Sequence, residues 1–134
     1  MKIVVCLDKS GGMSLCRRRQ SQDRVLREKL LSLVGDGRLL LNAYSARQFE
    51  STDKLTVSED FWNQAGEHDF CFFENTAIPT DAADEWYLFF WNRDYPADCY
   101  FEVDLCKSGF KKIKTEHFVG SSHKKITLEV YGRA

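Results

Sequence analysis

Apolar positions in the chain fall into two patterns: short β-branched or aromatic runs, and one stretch with helical spacing. Residues 2–7 (KIVVCL) are nearly all apolar, which predicts a central strand buried on both faces. Asp8-Lys9-Ser10-Gly11-Gly12 then reads as a turn, followed by a polar, arginine-rich stretch. From about Asp23 to Val34, Leu26, Leu30, Leu33 and Val34 recur at helical spacing, with Gly35 as a stop signal. Arg38–Tyr44 (RLLLNAY) predicts a second strand, completing a strand–helix–strand unit whose strands should be parallel.

The pattern repeats less cleanly downstream. Leu55-Thr56-Val57 predicts a short strand, and Ser58 with Glu59 and Asp60 predicts the start of a helix carrying Phe61, Trp62 and Ala65. Asp69–Glu74 (DFCFFE) and Glu85–Trp91 (EWYLFFW) are aromatic strand candidates that need cover on both faces. Cys99–Val103 and Lys112–Glu116 are weaker strand candidates. Lys125–Tyr131 (KITLEVY) fits a strand by alternation and a helix by its Ile126/Val130 spacing with Ser122 as cap; the expectation here is a helix. The fold class expected is one α/β domain spanning residues 1–134, a mostly parallel mixed sheet flanked by helices.

Composition narrows the class. With 43% hydrophobic, 29% charged and 13% aromatic residues, two prolines and eight glycines, the chain is neither disordered nor fibrous. No apolar run approaches the ~18–20 residues needed to cross a bilayer, so no membrane partner is expected. The five-residue apolar run near the N-terminus is too short for a secretory signal, and the expected location is cytoplasmic. Five cysteines with no C-x-x-C pair argue against a zinc site and for free thiols, so no metal and no cofactor is implied. Cys16, beside three arginines, is a further nucleophile candidate if a histidine lies alongside.

The net charge of −1 conceals a segregation: +6 over residues 1–49, −12 over 50–104 and +5 over 105–134. Either the segments neutralise one another in the fold, or they present surfaces to partners of opposite sign. The acidic middle could meet a basic protein partner. The lysines at 111, 112, 114, 124 and 125, interleaved with Phe110 and Phe118, could contact single-stranded nucleic acid.

Two stretches carry a family resemblance. One is Gly12-Met13 with Arg18-Arg19-Gln20-Ser21 and Asp23-Arg24. The other runs from Asn42-Ala43-Tyr44-Ser45 through Asp60-Phe61, Ala65-Gly66-Glu67, Asp69 and Cys71 to Trp91-Asn92-Arg93 and Tyr95-Pro96. Through nearly all of its length the chain resembles a group of short proteins from gut Firmicutes that carry the label ribonuclease Z. That enzyme trims precursor tRNA with two metal ions held by an H-x-H-x-D-H cluster and further ligands. The three histidines here, His68, His117 and His123, stand in no such cluster, so neither the metal sites nor the tRNA chemistry carries over. The opening strand, glycine turn and helix are also similar to the start of dihydrofolate reductases, whose remaining motifs are missing.

Candidate chemistry gathers at predicted strand ends. In an open parallel sheet, ligands collect outside the carboxyl ends of the strands. Asp8, Asn42 with Tyr44 and Ser45, Glu74 with Asn75, and Asn92 with Arg93 and Asp94 each follow a predicted strand. Asp8 and Glu74 are the candidate catalytic carboxylates, able with Arg93 to surround a small-molecule substrate or to hold Mg²⁺. The anion-binding candidates are Arg17, Arg18, Arg19, Gln20, Ser21 and Arg24, together with Ser45, Asn92 and Arg93. The arginines precede a predicted helix start, where free amides and the helix dipole favour a phosphate. A nucleotide phosphate or RNA is the ligand expected there, and pairing with the acidic middle segment is the competing reading. No G-x-x-x-x-G-K-[ST] or G-x-G-x-x-G motif is present.

Overall fold

The computed structural model describes residues 1–134 throughout. Its main sheet has seven strands: β1 (Lys2–Leu7), β4 (Leu39–Leu41), β5 (Leu55–Val57), β6 (Phe70–Phe72), β7 (Glu85–Phe90), β9 (Phe110–Phe118) and β10 (Ile126–Arg133). They lie in the order β5-β4-β6-β1-β7-β10-β9. The first five of that order are mutually parallel, while β10 runs antiparallel to both β7 and β9. A second small sheet joins β3 (Arg18–Arg19), β2 (Gly12–Leu15) and β8 (Cys99–Tyr100). This is the α/β architecture expected, with a mostly parallel mixed sheet.

Each face of the main sheet is covered, because the strands are apolar on both sides. One face packs Val4, Leu39, Leu41, Phe72 and Phe89 against helix α1 (Arg24–Val34), which contributes Leu26, Leu30 and Val34. Asp23 starts this helix by accepting hydrogen bonds from the Val25 and Leu26 N–H groups; Gly35, at φ 59°, ends it. The other face buries Ile3, Val5, Leu7, Leu40 and Trp86 beneath Met13, Phe61, Leu105 and Phe110. Its cover is loops, a 3₁₀ turn at Phe61–Gln64 and the small sheet, with no long helix. No helix is long and apolar enough to cross a membrane.

Four expectations are corrected. The helix expected after Ser58 is only that 3₁₀ turn, because the Ser58 hydroxyl bonds the Asp60 carboxylate and caps nothing. The second strand stops at Leu41, where the Asn42 side chain caps the short helix α2 (Ala43–Ala46). Residues 126–133 form a strand rather than a helix, since two neighbouring strands complete its ladder and Ile126, Leu128 and Val130 all reach the core. The arginine-rich stretch is a β-hairpin. Leu15 pairs with Arg18, leaving Cys16 (φ 50°) and Arg17 (φ 63°) as a two-residue turn with both residues in the left-handed region. The outer strand β9 is a long sheet edge with exposed Lys111, Lys112, Ile113 and Lys114.

Candidate functional site

The parallel strands bring their polar ends to one edge, where Asp8, Asn42, Ser45, Glu74, Asn75, Asn92 and Arg93 follow β1, β4, β6 and β7. The β2–β3 hairpin lies against this edge and fills its middle. Glu74, buried, receives the Arg19 guanidinium as a fork: Nε to Oε2 at 3.0 Å and Nη2 to Oε1 at 3.1 Å. Ser45 Oγ (2.7 Å) and Gln48 Nε2 (3.1 Å) donate to the same carboxylate. The Arg19 group also sits over the Tyr44 ring at 4.3 Å. Asn75 joins the arrangement, accepting from Asn42 Nδ2 and donating to the Arg17 carbonyl.

Asp8 is equally committed. Its Oδ1 accepts from the Ser10 and Gly12 N–H groups at 2.8 Å each, and its Oδ2 accepts from Gln20 Nε2 at 2.8 Å. Burial alone would raise this carboxyl's pKa, but the Gly12, Gln20, Ser10 and Tyr95 donors together hold it below the ordinary value. A Cβ on Gly12 would lie 2.6 Å from Asp8 Oδ2, so only glycine allows this close approach.

These contacts correct the sequence reading of several site residues. Asp8 and Glu74 have their oxygens occupied by protein donors, although Glu74 also borders an open cleft. No group of three or more His, Cys, Asp or Glu residues is placed to hold a metal ion. Arg19, Gln20 and Ser45 are structural partners of these carboxylates. Arg17 and Arg18 are exposed on the hairpin, and Arg24 pairs with Glu28 one turn along α1. The helix N-terminus itself is occupied: Asp23 holds two of its amides, and Ser121 Oγ accepts from the Arg24 N–H. The Arg19–Glu74 and Arg38–Asp69 pairs show internal neutralisation between the basic first segment and the acidic middle. Cys16 has no histidine partner; its N–H bonds Asp98. Phe110 is buried against Trp86 and Phe118 packs on Phe89, so neither ring offers a stacking surface to nucleic acid.

Among the surface clefts, two border the polar strand ends. The first, about 460 Å³, is lined by Met13, Cys16, Arg17, Glu74, Ile78 and Tyr100 among others, and by Asp98 and Glu102 as well. The second, about 580 Å³, lies at the carboxyl end of β7 and is lined by Trp91, Asn92, Arg93, Ser122, Lys124 and Lys125. Its three cations make no ion pair, and no carboxylate lines it. Asn92 (φ 62°) shapes the turn: its Nδ2 donates to Thr127 Oγ1 at 2.9 Å and to the Lys125 carbonyl at 3.2 Å. Asn92 and Arg93 are sequence-predicted ligand groups that meet in this second cleft, as Arg17 and Glu74 do in the first.

Behind that cleft stands a cluster of which the sequence reading named only Ser21. His123 is buried and stacked on Trp91, with ring centroids 4.6 Å apart. Its Nδ1 lies 3.0 Å from Asp23 Oδ2, and its Nε2 lies 3.1 Å from Ser21 Oγ and 2.9 Å from the Tyr95 hydroxyl. Asp23 accepts further bonds from the Ser121 and Ser122 N–H groups. Burial would raise the pKa of Asp23, yet donors from Ser122, Ser121, His123 and Leu26 hold it far below the ordinary carboxylate range. A Cβ on Gly120 would collide with Asp23 Oδ2, so the 120–123 turn wraps this carboxylate closely.

This sheet order and these strand directions define a single-domain α/β fold of the dihydrofolate reductase type. One similar solved structure is the dihydrofolate reductase from Enterococcus faecalis complexed with NADP(H) and RAB-propyl. It matches with a TM-score of 0.69 at 13% identity, over 98% of this chain and 95% of that one. No family model and no curated protein matches the sequence.

Proposed function

We propose that the protein binds a phosphate-bearing small molecule in the basic cleft at the carboxyl end of β7. The observation that carries this reading is the convergence of Arg93, Lys124 and Lys125, none with a carboxylate partner, on one cleft of about 580 Å³. That volume suits a nucleotide-sized ligand. Guanidinium and ammonium groups are the side chains that hold phosphate through charge-assisted hydrogen bonds. Trp91 is the single apolar lining residue, which favours a polar ligand. The NADP(H) named in the similar reductase structure is itself a phosphate-bearing molecule, in keeping with this class of ligand.

Calorimetric titration with ATP, NADP⁺ and tripolyphosphate at low salt tests the reading. Binding is expected with at least one of them, and Arg93→Ala/Lys124→Ala/Lys125→Ala should abolish it, since each lost contact costs ~1.5–3 kcal/mol. Absence of binding to all three at millimolar concentration, or full binding by the triple variant, overturns it. Homopolymer RNA is the comparison: binding to RNA alone, with a steep salt dependence, would transfer the function to a polynucleotide.

A further inference from the structure

The Asp23–His123–Ser21 cluster has the connectivity of a nucleophile, base and orienting carboxylate, an arrangement that recurs on unrelated folds to activate a serine hydroxyl for group transfer. Asp23 lies in the loop entering α1, Ser21 two residues before it, and His123 in the turn before β10, so the fold brings two distant segments together. Asp23 is ionised and accepts from Nδ1, which keeps the ring proton there and leaves Nε2 as the acceptor facing two hydroxyls. The imidazole is positioned by the Trp91 ring stacked on one face and by hydrogen bonds at both nitrogens. Ser21 is half-buried, whereas Asp23 and His123 are enclosed.

We propose that Ser21 is a nucleophile activated by His123 as general base, with Asp23 as its positioning residue, and that the site transfers acyl groups from esters to water. In the first step Ser21 Oγ bonds to the carbonyl carbon and its proton passes to His123 Nε2. The tetrahedral adduct then expels the alcohol oxygen, which takes that proton from Nε2. In the second step water attacks the acyl-serine, giving its proton to Nε2; the Ser21 oxygen leaves and recovers it. Ester and water become acid and alcohol, and the enzyme is unchanged. Trp91 and Ser122 both line the basic cleft and both touch His123, so a substrate whose acid or alcohol part carries a phosphate would be favoured; that preference rests on the cleft reading above.

The Tyr95 hydroxyl is the distinguishing feature. Nε2 has one in-plane lone pair and can accept one O–H at a time, so Tyr95 at 2.9 Å competes with Ser21 at 3.1 Å for it. Tyr95→Phe should therefore make Ser21 react faster, a result that a purely structural hydrogen-bond network does not produce.

A neutral fluorophosphonate is the probe: Ser21 Oγ would bond to phosphorus, fluoride would leave, and the proton would go to Nε2. Intact-mass and peptide mapping of the full chain should show one adduct, on Ser21, absent in Ser21→Ala. His123→Gln should slow labelling at least about 100-fold, the usual contribution of a positioned base. Asp23→Asn keeps an acceptor for the helix amides but turns an NH₂ towards Nδ1, favouring the wrong tautomer. In that variant p-nitrophenyl acetate turnover should fall in kcat with KM unchanged. No adduct on Ser21 in the wild-type protein overturns the proposal, as does equal labelling of a folded His123→Gln variant or slower labelling of Tyr95→Phe. The probe carries no anion, so Ser21 labelling without phosphate binding would refute only the cleft reading. Phosphate binding without labelling would refute only this one.

Discussion

Replacing Arg19 separates the two roles that the arginine-rich hairpin could serve. Arg19→Ala leaves the buried Glu74 carboxylate with Ser45 and Gln48 as its only donors, removing both guanidinium bonds and the stacking on Tyr44. Breaking one side of a buried pair costs ~3–5 kcal/mol, chiefly because the remaining charge stays desolvated. Unfolding entropy over 134 residues is about 280 cal/mol/K, so each 1 kcal/mol moves Tm by about 3.5 °C. The expected loss is therefore about 11–18 °C, whereas Arg18→Ala, on an exposed side chain, should stay within ~0.5 kcal/mol. Calorimetry and urea melts of both variants provide the assay. Arg19→Met/Glu74→Leu supplies the internal control, because removing both charges should cost less than removing Arg19 alone. A shift under ~3 °C for Arg19→Ala, or equal shifts for the two single variants, would refute the assignment of Arg19 to the fold.

Acid should destabilise the protein in a defined window. Asp8, Asp23 and Asp69 all have folded-state pKa values held below their ordinary values, so they stabilise the fold above the unfolded-chain pKa of ~3.9. That contribution shrinks as pH falls from there through the folded-state pKa values; unfolding free energy equal at pH 6 and pH 3 would contradict it. Thiol titration gives a second check. Cys16, Cys99 and Cys106 are exposed and should react quickly in the native protein, while Cys71, buried and with its pKa pushed up to about 12, should react only on unfolding. Rapid native modification of Cys71 would show that the core around β6 opens.

Much of the sheet was legible because its strands are buried on both faces, and such strands announce themselves as unbroken apolar runs. Residues 2–7, 69–74 and 85–91 were found this way, and α1 was marked by its four spaced apolar residues and Gly35. Residues 126–133 were misread because local alternation and local helical spacing coincide there. The decision comes from ladders with β7 and β9, which no local window contains. The hairpin was missed because its turn uses Cys16 and Arg17 in the left-handed region, where Asn-Gly would have been the signal. The convergence of Asp8, Ser45, Glu74 and Arg93 on one edge followed from parallel strands, yet their pairing inside that edge did not. His123 meets Asp23 across 100 residues of sequence, and nothing at either position hints at the other.

The lysine-bearing strand β9 bears on how this protein behaves at high concentration. An outermost strand of nine residues presents a row of unsatisfied amides and carbonyls on which another chain could add a strand. Lys111, Lys112 and Lys114 guard that row: a second copy laid alongside would bring ammonium groups together and strip them of water. At the opposite border β5 is only three residues long, too short a template for stable pairing. Exposed Ile113 and Val119 supply the apolar contacts that would hold such an assembly once its charge was removed. The positive balance of residues 105–134 is thus a colloidal safeguard, and lysine acetylation or strongly alkaline solution would convert this border into a seed for fibrous association.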